Sequence, residues 1–457
     1  MPIQDAITAV KDHTKRANGY SLYRDYEQGR HRYPFATHEF RTKYRWIIEN
    51  SRANMCPGVR ANFTDRVELK GWSGAGKDAA TAAATGLGLG RVLNLAVAEA
   101  FRTGDAYVLA WEGADGTIRP WYHRADQVAY SLDPEDPTLF LWVSKLWVTT
   151  DRYGRVNVYY PDRVERWVTR TTVRTADTEA PTWPEHAESW RPFNGDGDPD
   201  TITHQHGRVP WAHLAFDPVT HGGHGRSVLR DVIPLQDALN HALASMIVNV
   251  EQYAAPIRAI LNHVPTKVID PATGRQTEEA LRFDETRKRI LGIAGAGPFT
   301  QLDPPDANNI ISVMDSFGAW IARTVGVPVS DIVPDLGNIP SGAALRVLAA
   351  RRTATIRDFT GTITPEITTL MGLLGVEDAS PEWADPAPAD DTERVATAQV
   401  KRDLGYPLEE ILTDLGEDPD DVDRIVGLIA AEDARVLQVG REAVVTGQTP
   451  RQAAQGM

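Results

Sequence analysis

The stretch 71–78, GWSGAGKD, comes nearest in residue type to a motif that does chemistry. Gly71, Gly76 and Lys77 match the phosphate-binding pattern G-x-x-x-x-G-K-[ST], in which backbone amides and the lysine hold phosphates. Asp78 stands where the pattern needs a hydroxyl group for magnesium, and a carboxylate there repels phosphate oxygens. The preceding DRVELK alternates charged and apolar residues, which indicates a half-exposed strand and not a buried parallel one. We therefore favour a glycine turn after a strand and keep a nucleotide-hydrolysing enzyme as the alternative.

A histidine cluster is the second candidate, as a set of metal ligands. The five histidines that fall within 21 residues are His204, His206, His213, His221 and His224. No cysteine accompanies them, and the neighbouring glycines favour a mobile loop. We interpret them as solvated loop histidines and predict neither a metal nor a cofactor. Because no G-x-S-x-G elbow occurs either, we predict no catalytic residue.

Four arginines lie in the N-terminal half of a long predicted helix: Arg346, Arg351, Arg352 and Arg357. Such a basic face is typical of a nucleic-acid contact. It is equally typical of a helix that forms ion pairs with an acidic neighbouring subunit. The sequence leaves both interpretations open.

The chain has 457 residues, a net charge of −14 and one cysteine, Cys56. Proteins that clamp duplex DNA usually present a basic face, so we expect any DNA contact here to be loose and local. One cysteine excludes an intramolecular disulfide bond. No apolar run of about 18 residues occurs, and the N-terminus lacks the apolar core of a signal peptide. We expect a cytosolic protein that does not cross a membrane.

The elements expected to position these residues form an α+β fold. Helical spacing predicts a helix over 91–103 that ends at Gly104. A turn at Asp115-Gly116 predicts a hairpin within an antiparallel β region over 107–170. Two long amphipathic helices, at 234–255 and 306–326, flank a compact segment at 259–303. A loop rich in proline and glycine then leads into the arginine-bearing helix.

The run from GRVPWAHLAFDP through GHGRSVLRDVIPLQDALNHALASMI resembles the SPP1-type portal proteins of tailed bacteriophages. The matching positions are Gly207, Pro210, Gly225, Ser227, Leu235, Gln236, Asp237, Ala238, Leu239 and Asn240. Four further pieces agree in order: LYRDYEQGRH, AFRTGDAYVLAWEGADG, IPSGAALR and PEWADPAPADDTERVATAQVKRDLGYPLEEILTDLG. The resemblance covers most of residues 20–420.

The resemblance implies a portal fold. It divides the chain into a wing (1–225), stem helices (226–258 and 305–328), a clip (259–304), a tunnel loop with a kinked helix that returns to the wing (329–390), and a short helical crown-like region (391–457). It places the family motif of the stem at Gly225, Ser227, Gln236, Asp237 and Asn240. It also implies a DNA-facing tunnel loop formed by Asp335, Leu336, Gly337, Asn338, Ile339, Pro340 and Ser341.

The resemblance further implies a non-enzymatic subunit of a dodecameric ring at one capsid vertex. Double-stranded DNA would be packaged through this channel by the terminase large subunit and later ejected. The other implied partners are the major capsid protein, the scaffold and a head-completion adaptor. The protein would be made in the host bacterial cytoplasm and reside in the virion. The alternatives are a P-loop-like nucleotide-hydrolysing packaging enzyme and another minor head protein.

Overall fold

A computed structural model describes residues 3–113, 115–174, 181–194, 200–253, 258–261, 267–269, 276–278, 290–293, 307–333, 342–387, 391–415, 422–432 and 434. These residues confirm the predicted α+β class. They divide into two compact units. The first comprises Met1–Ile339 with Leu348–Pro386, and the second comprises Pro340–Val347 with Ala387–Met457.

The chain begins with helices and one short strand. In order these are α1 (Ile3–Glu27), α2 (His38–Lys43), α3 (Arg45–Asn50), α4 (Cys56–Thr64), β1 (Leu69–Ser73), α5 (Lys77–Gly86) and α6 (Leu89–Thr103). A β-rich region follows. Its strands are β2 (Asp105–Glu112), β3 (Ile118–Arg124), β4 (Val128–Leu132), β5 (Phe140–Val148), β6 (Tyr153–Tyr159), β7 (Arg163–Thr172), β8 (Trp190–Pro192), β9 (Thr201–Thr203) and β10 (Trp211–Ala215).

Long helices dominate the rest of the chain. They are α7 (Ile233–Tyr253), α8 (Ala307–Val325) and α9 (Gly342–Leu373). Short strands lie between α7 and α8: β11 (Arg258–Leu261), β12 (Lys267–Ile269), β13 (Gln276–Glu278) and β14 (Ile290–Ile293). After α9 come β15 (Ser380–Trp383), α10 (Asp391–Asp403) and α11 (Leu408–Leu415), and residues 422–432 are helical.

Helix α6 is the central helix of the first unit, and its boundaries follow from glycine. It ends at Gly104, whose φ of 100° suits a residue without a Cβ atom, as the sequence predicts. Leu93, Val97 and Phe101 repeat every four residues and are buried. They pack α6 into the core beneath β2 and β3.

Two antiparallel sheets form the β-rich region, which confirms the predicted strands over 107–170. One sheet has the order β10-β2-β3, and β2 and β3 form the predicted hairpin. The other has the order β4-β5-β6-β7-β8, with β9 paired to β7. Strand β1 pairs instead with β15, which joins residues 69–73 to 380–383.

The main core joins elements that are distant in sequence. The Phe101 ring lies 4.6 Å from Phe216 and 4.7 Å from Phe359, centroid to centroid. Helix α9 contributes buried residues at helical spacing: Ile356, Phe359, Ile363, Ile367 and Leu370. Fully burying each such side chain is worth about 1.5–3 kcal/mol. This burial fixes α9 against α6.

Helices α7 and α8 agree closely with the predicted ones at 234–255 and 306–326, and α9 is the predicted arginine-bearing helix. Helices α7 and α8 pack against each other. Pro365 lies inside α9 and cannot donate a backbone hydrogen bond. The kink that the resemblance implies for this helix stays a prediction. Of the predicted compact segment 259–303, the structure describes two strand pairs, β11 with β14 and β12 with β13.

The described helices were also compared with the length and apolarity that a membrane crossing requires. None of the described helices is both long enough and apolar enough on its own. Helices α5 and α6 satisfy the two criteria only when taken together, and the bend between them is 81°.

In the second unit, α10 packs against α11.

Candidate functional site

The predicted stem motif spans the segment before α7 and the first turns of α7, and glycine begins it. Gly225 approaches Gly104 so closely that a Cβ atom on Gly225 would lie 2.0 Å from the Gly104 carbonyl oxygen. The Phe216 N–H donates to the same carbonyl oxygen at 2.8 Å, and the Arg226 N–H donates to Phe216 O at 2.7 Å. The motif therefore needs glycine because two backbones are in contact there.

Ser227 ties the end of α6 to the start of α7. Its hydroxyl donates to the Arg102 carbonyl oxygen at 2.5 Å and accepts from the Leu229 N–H at 3.0 Å. The last carbonyl groups of a helix lack partners inside it, so the first bond satisfies one of them. The second bond shapes the turn that leads into α7. Ser227 is thus a positioning residue for this helix.

Gln236 and Asn240 are fully buried on α7 and hold the backbone between α3 and α4. The Gln236 carbonyl oxygen accepts from the Met55 N–H at 2.8 Å, and its amide group donates to Ala53 O at 2.6 Å. Asn240 Oδ1 accepts from the Ala53 N–H at 3.0 Å. The backbone between α3 and α4 has no regular secondary structure. These two side chains, one helical turn apart, satisfy the backbone groups that a neighbouring strand would otherwise bond.

Asp237 accepts both of its short hydrogen bonds from one tyrosine. The Tyr26 hydroxyl lies 2.7 and 2.8 Å from the two carboxylate oxygens. Burial raises the pKa of Asp237, although the bond from Tyr26 counteracts this. Tyr26 stacks on His31, which lies 2.6 Å from Asn240 Nδ2. We call Tyr26, His31, Gln236, Asp237 and Asn240 the α7 anchor.

The anchor clarifies what the motif residues do. On the sequence, Asp237 falls on the polar side of α7, opposite the apolar residues, yet it is 5% exposed. The matching positions Gly225, Ser227, Gln236, Asp237 and Asn240 all bind this chain's own backbone or core. The sequence alone does not distinguish Tyr26 and His31 from their neighbours, although both belong to the LYRDYEQGRH run.

The four arginines of α9 have different surroundings. Arg352 is 2% exposed and pairs with Asp331, and it also donates to Asn62 Oδ1 at 2.8 Å. Arg352 therefore does not belong to an exposed basic face. Arg357 is exposed and pairs with Asp385 at 2.9 Å. Arg351 donates to the Arg323 carbonyl oxygen at 3.4 Å.

The expected tunnel loop, Asp335–Ser341, lies outside the described residues. The structure therefore places none of its seven side chains. Arg346 lies within α9 and has an interaction partner of its own.

Backbone amides of the glycine stretch 71–78 bind Asp378 of the same chain. The Ala75 N–H donates to Asp378 Oδ2 at 3.0 Å, and the Gly76 N–H donates to Asp378 O at 2.9 Å. A Cβ atom on Gly74 would lie 2.3 Å from that same carbonyl oxygen. The amides that would cradle a phosphate are thus used by Asp378, which follows the end of α9. Lys77 begins α5.

The histidines differ from the sequence interpretation at His213 and His224. His213 is 6% exposed on β10, so treating it as a solvated loop residue was wrong. Its Nε2 atom lies 2.7 Å from Asp105 Oδ1, and His224 Nδ1 lies 3.3 Å from Asp105 Oδ2. These three side chains form a candidate metal cluster, with their ligand atoms within 4.8 Å of one another.

The surroundings of Asp105 suit a hydrogen-bonded acceptor better than a cation ligand. Its oxygens also accept from the Tyr20 hydroxyl at 2.6 Å and from the Gly225 N–H at 2.9 Å. Burial raises the pKa of Asp105, but hydrogen bonds from His213 and His224 outweigh it and hold the pKa below its ordinary value. The Arg16 guanidinium, 3.3 Å from His224 Nδ1, opposes a divalent cation. Asp105 therefore joins α1, β2, β10 and the segment before α7.

Comparison with known proteins identifies the family of the chain. The profile of the family described as "Phage portal protein, SPP1 Gp6-like" matches residues 63–315, more than half of the chain. No curated protein matches the sequence.

Several solved structures resemble the chain. The neck of an empty gene transfer agent (GTA) particle computed with C6 symmetry has a TM-score of 0.46 and 17% identity, and the alignment covers 79% of this chain and 90% of that one. The virion of a native GTA particle and the neck of a native GTA particle computed with C12 symmetry each have a TM-score of 0.43 and 16% identity, with 79% and 89% covered. With TM-scores below 0.5, these likenesses add nothing to the family assignment. The matched residues 63–315 include the complete motif and α7, and on that match the chain belongs to the SPP1 Gp6-like family of phage portal proteins.

Proposed function

We propose that this portal protein is the subunit of a ring-shaped channel at one capsid vertex, through which double-stranded DNA is packaged and later ejected. The family match over 63–315 carries this proposal. The α7 anchor supports it, because a channel wall must keep its long helices in place while DNA moves past. Helices α7 and α8 are the proposed stem, and the strands between them belong to the proposed clip.

The charge of the chain supports a conduit for DNA. Each phosphate that a protein neutralises adds salt-dependent affinity, and tight affinity would slow translocation. A net charge of −14 disfavours such binding. We assign retaining contacts to the loop Asp335–Ser341, which we propose faces the lumen. The partners we propose are eleven further copies of this chain, the terminase large subunit, the major capsid protein, the scaffold and a head-completion adaptor.

Electron microscopy of the purified protein tests the proposal directly. We expect rings with a central hole, and labelling of virions should place the protein at a single vertex. A compact monomer under assembly conditions, with no rings in virions, would reject the channel. Labelling throughout the shell would instead indicate another minor head protein.

Deletion of residues 335–341 tests the role of the loop. We expect rings of normal appearance that package or retain less DNA. If rings no longer form, the segment is structural and does not serve translocation. Replacement of residues 335–341 with a Gly/Ser stretch of equal length is the control, because it keeps the length of the loop and removes only its side chains.

A further inference from the structure

A basic segment stands out in this acidic protein. Residues 30–52 carry six arginine or lysine residues and two glutamates: Arg30, Arg32, Arg41, Lys43, Arg45 and Arg52 against Glu39 and Glu49. The difference is +4 within a chain whose total is −14. Arg41 and Lys43 are exposed and have no ion pair with any residue that the structure describes. The segment therefore presents uncompensated positive charge.

The same segment exposes large aromatic side chains. Trp46 is 74% exposed and Phe35 is 55% exposed. The buried side of the segment is firmly attached, since Ile47 and Ile48 pack with Ala244 and Val248 of α7. A rigid base with an exposed indole between cations is typical of a protein-binding anchor, because tryptophan and arginine dominate interface energetics.

A cleft with complementary chemistry lies elsewhere in the same unit. It has a volume of about 740 Å³ and is bounded by the β4–β5 connection, the loop 218–223 and α9. Its mouth exposes Leu139 and Val219, at 55% and 71%. We call this cavity the β4–β5 cleft.

The β4–β5 cleft favours an occupant that brings a hydrogen-bond acceptor to its interior and cations to the acidic turn at its rim. Trp211 lines it, and its buried indole N–H has no partner among the described residues. Glu366 also lines it, and burial raises the pKa of that carboxyl group. The adjoining turn, 133–136, carries Asp133, Glu135 and Asp136. Arg208, His213 and His221 are the basic residues in the lining.

We propose that the basic segment of one subunit docks, through Trp46 and the cations beside it, in the β4–β5 cleft of a neighbouring copy. The inference rests on the proposed ring and adds the surfaces that join its subunits. Two different surfaces that complement each other form a head-to-tail contact, and head-to-tail contacts generate rings when the rotation closes. Charge complementarity selects the neighbour, because every copy supplies both surfaces.

Charge reversal on each surface tests the contact in the full-length protein. Variant one is Arg41→Glu with Lys43→Glu, and variant two is Glu135→Lys with Asp136→Lys. For each alone we expect the protein concentration at half-assembly, measured by mass photometry, to rise about tenfold. An equimolar mixture of the two should assemble like wild type, because each reversed surface then meets its complement. Lys70→Glu with Arg91→Glu is the control, with the same change of charge on exposed residues outside both surfaces.

The mixture makes the result decisive. Rescue by mixing would show that both variants fold and that the two surfaces are complementary. If both variants have the circular dichroism spectrum of wild type and mixing does not rescue assembly, the proposal is overturned. Normal assembly by variant one also overturns it. If variant one assembles normally but binds a short DNA duplex less tightly than wild type, the basic segment contacts nucleic acid. If wild type itself forms no rings, the proposed channel fails and not only this interface.

Discussion

Tyr26 donates its single hydroxyl proton between the two carboxylate oxygens of Asp237, at 2.7 and 2.8 Å, and both residues are buried. This contact joins the end of α1 to the first turns of α7 across 211 residues of sequence. Replacing Tyr26 with Phe leaves a buried carboxylate without its donor. We expect a loss of about 1–3 kcal/mol in the free energy of unfolding, measured by urea denaturation.

Asp237→Asn is the matched variant for that experiment. It keeps an acceptor for the Tyr26 hydroxyl and removes the negative charge of a carboxyl group whose pKa is raised by burial. We therefore expect it to cost less than Tyr26→Phe at neutral pH. A larger loss for Asp237→Asn would show that the charge itself stabilises the anchor.

The approach of Gly225 to Gly104 predicts a severe effect of a single methyl group. Gly225→Ala places a Cβ atom 2.0 Å from a backbone carbonyl oxygen that cannot move aside. We expect a loss of about 3 kcal/mol or more, or failure to fold, detected by thermal denaturation. Gly58→Ala is the control, since nothing lies within 4 Å of that position in α4, and it should stabilise the protein by about 0.5–1 kcal/mol. Similar effects of the two variants would contradict the close contact.

The buried and exposed arginines of α9 should differ in their effects on stability. Arg352→Met breaks a pair in which the arginine is 2% exposed and leaves Asp331 uncompensated, at a cost of about 2–3 kcal/mol. Arg357→Met removes an exposed pair and should change stability by less than about 0.5 kcal/mol. Chemical denaturation of both variants measures the difference. Equal losses in the free energy of unfolding would mean that the burial of Arg352 does not explain the effect of replacing it.

The Asp378 carboxylate should matter more to the glycine stretch than Lys77 does. Asp378→Ala removes the acceptor of the exposed Ala75 amide, which water replaces in part, and we expect a loss of about 0.5–1 kcal/mol. Lys77→Ala should leave stability within about 0.5 kcal/mol. ATP turnover that Lys77→Ala abolishes would support the nucleotide-hydrolysing alternative instead, so the assay includes hydrolysis by wild type and by both variants.

Asp105 predicts a pH dependence of stability. Its pKa in the folded protein is below the ordinary value of 3.8, so folding favours the ionised form. The resulting stabilisation is fully present above the unfolded pKa and is lost as the pH falls towards the folded pKa. Asp105→Asn should therefore cost about 3 kcal/mol at pH 7, with the difference from wild type narrowing below about pH 3.8. Urea denaturation at pH 7 and pH 3 measures it, and a constant difference would contradict the assignment.

Local pattern was sufficient for most secondary structure. The spacing of Leu93, Val97 and Phe101 and the glycine at 104 predict α6 and its end, and the long helices α7, α8 and α9 follow from the same kind of periodicity. Helix and strand periods are properties of consecutive residues, so they can be seen without knowing any partner. The ordered motifs likewise indicate the portal family before any contact is known.

What the sequence by itself determined is therefore the α+β class, the succession of its long helices and the family. Only the tertiary structure decided that Asp237 is bound by Tyr26, that His213 is buried against Asp105, that Arg352 pairs with Asp331, and that the glycine stretch holds Asp378. The reason is physical. Whether a polar side chain binds a ligand, solvent or its own chain depends on which distant groups the packed core brings within about 3 Å, and Asp378 comes to Ala75 from 303 positions away.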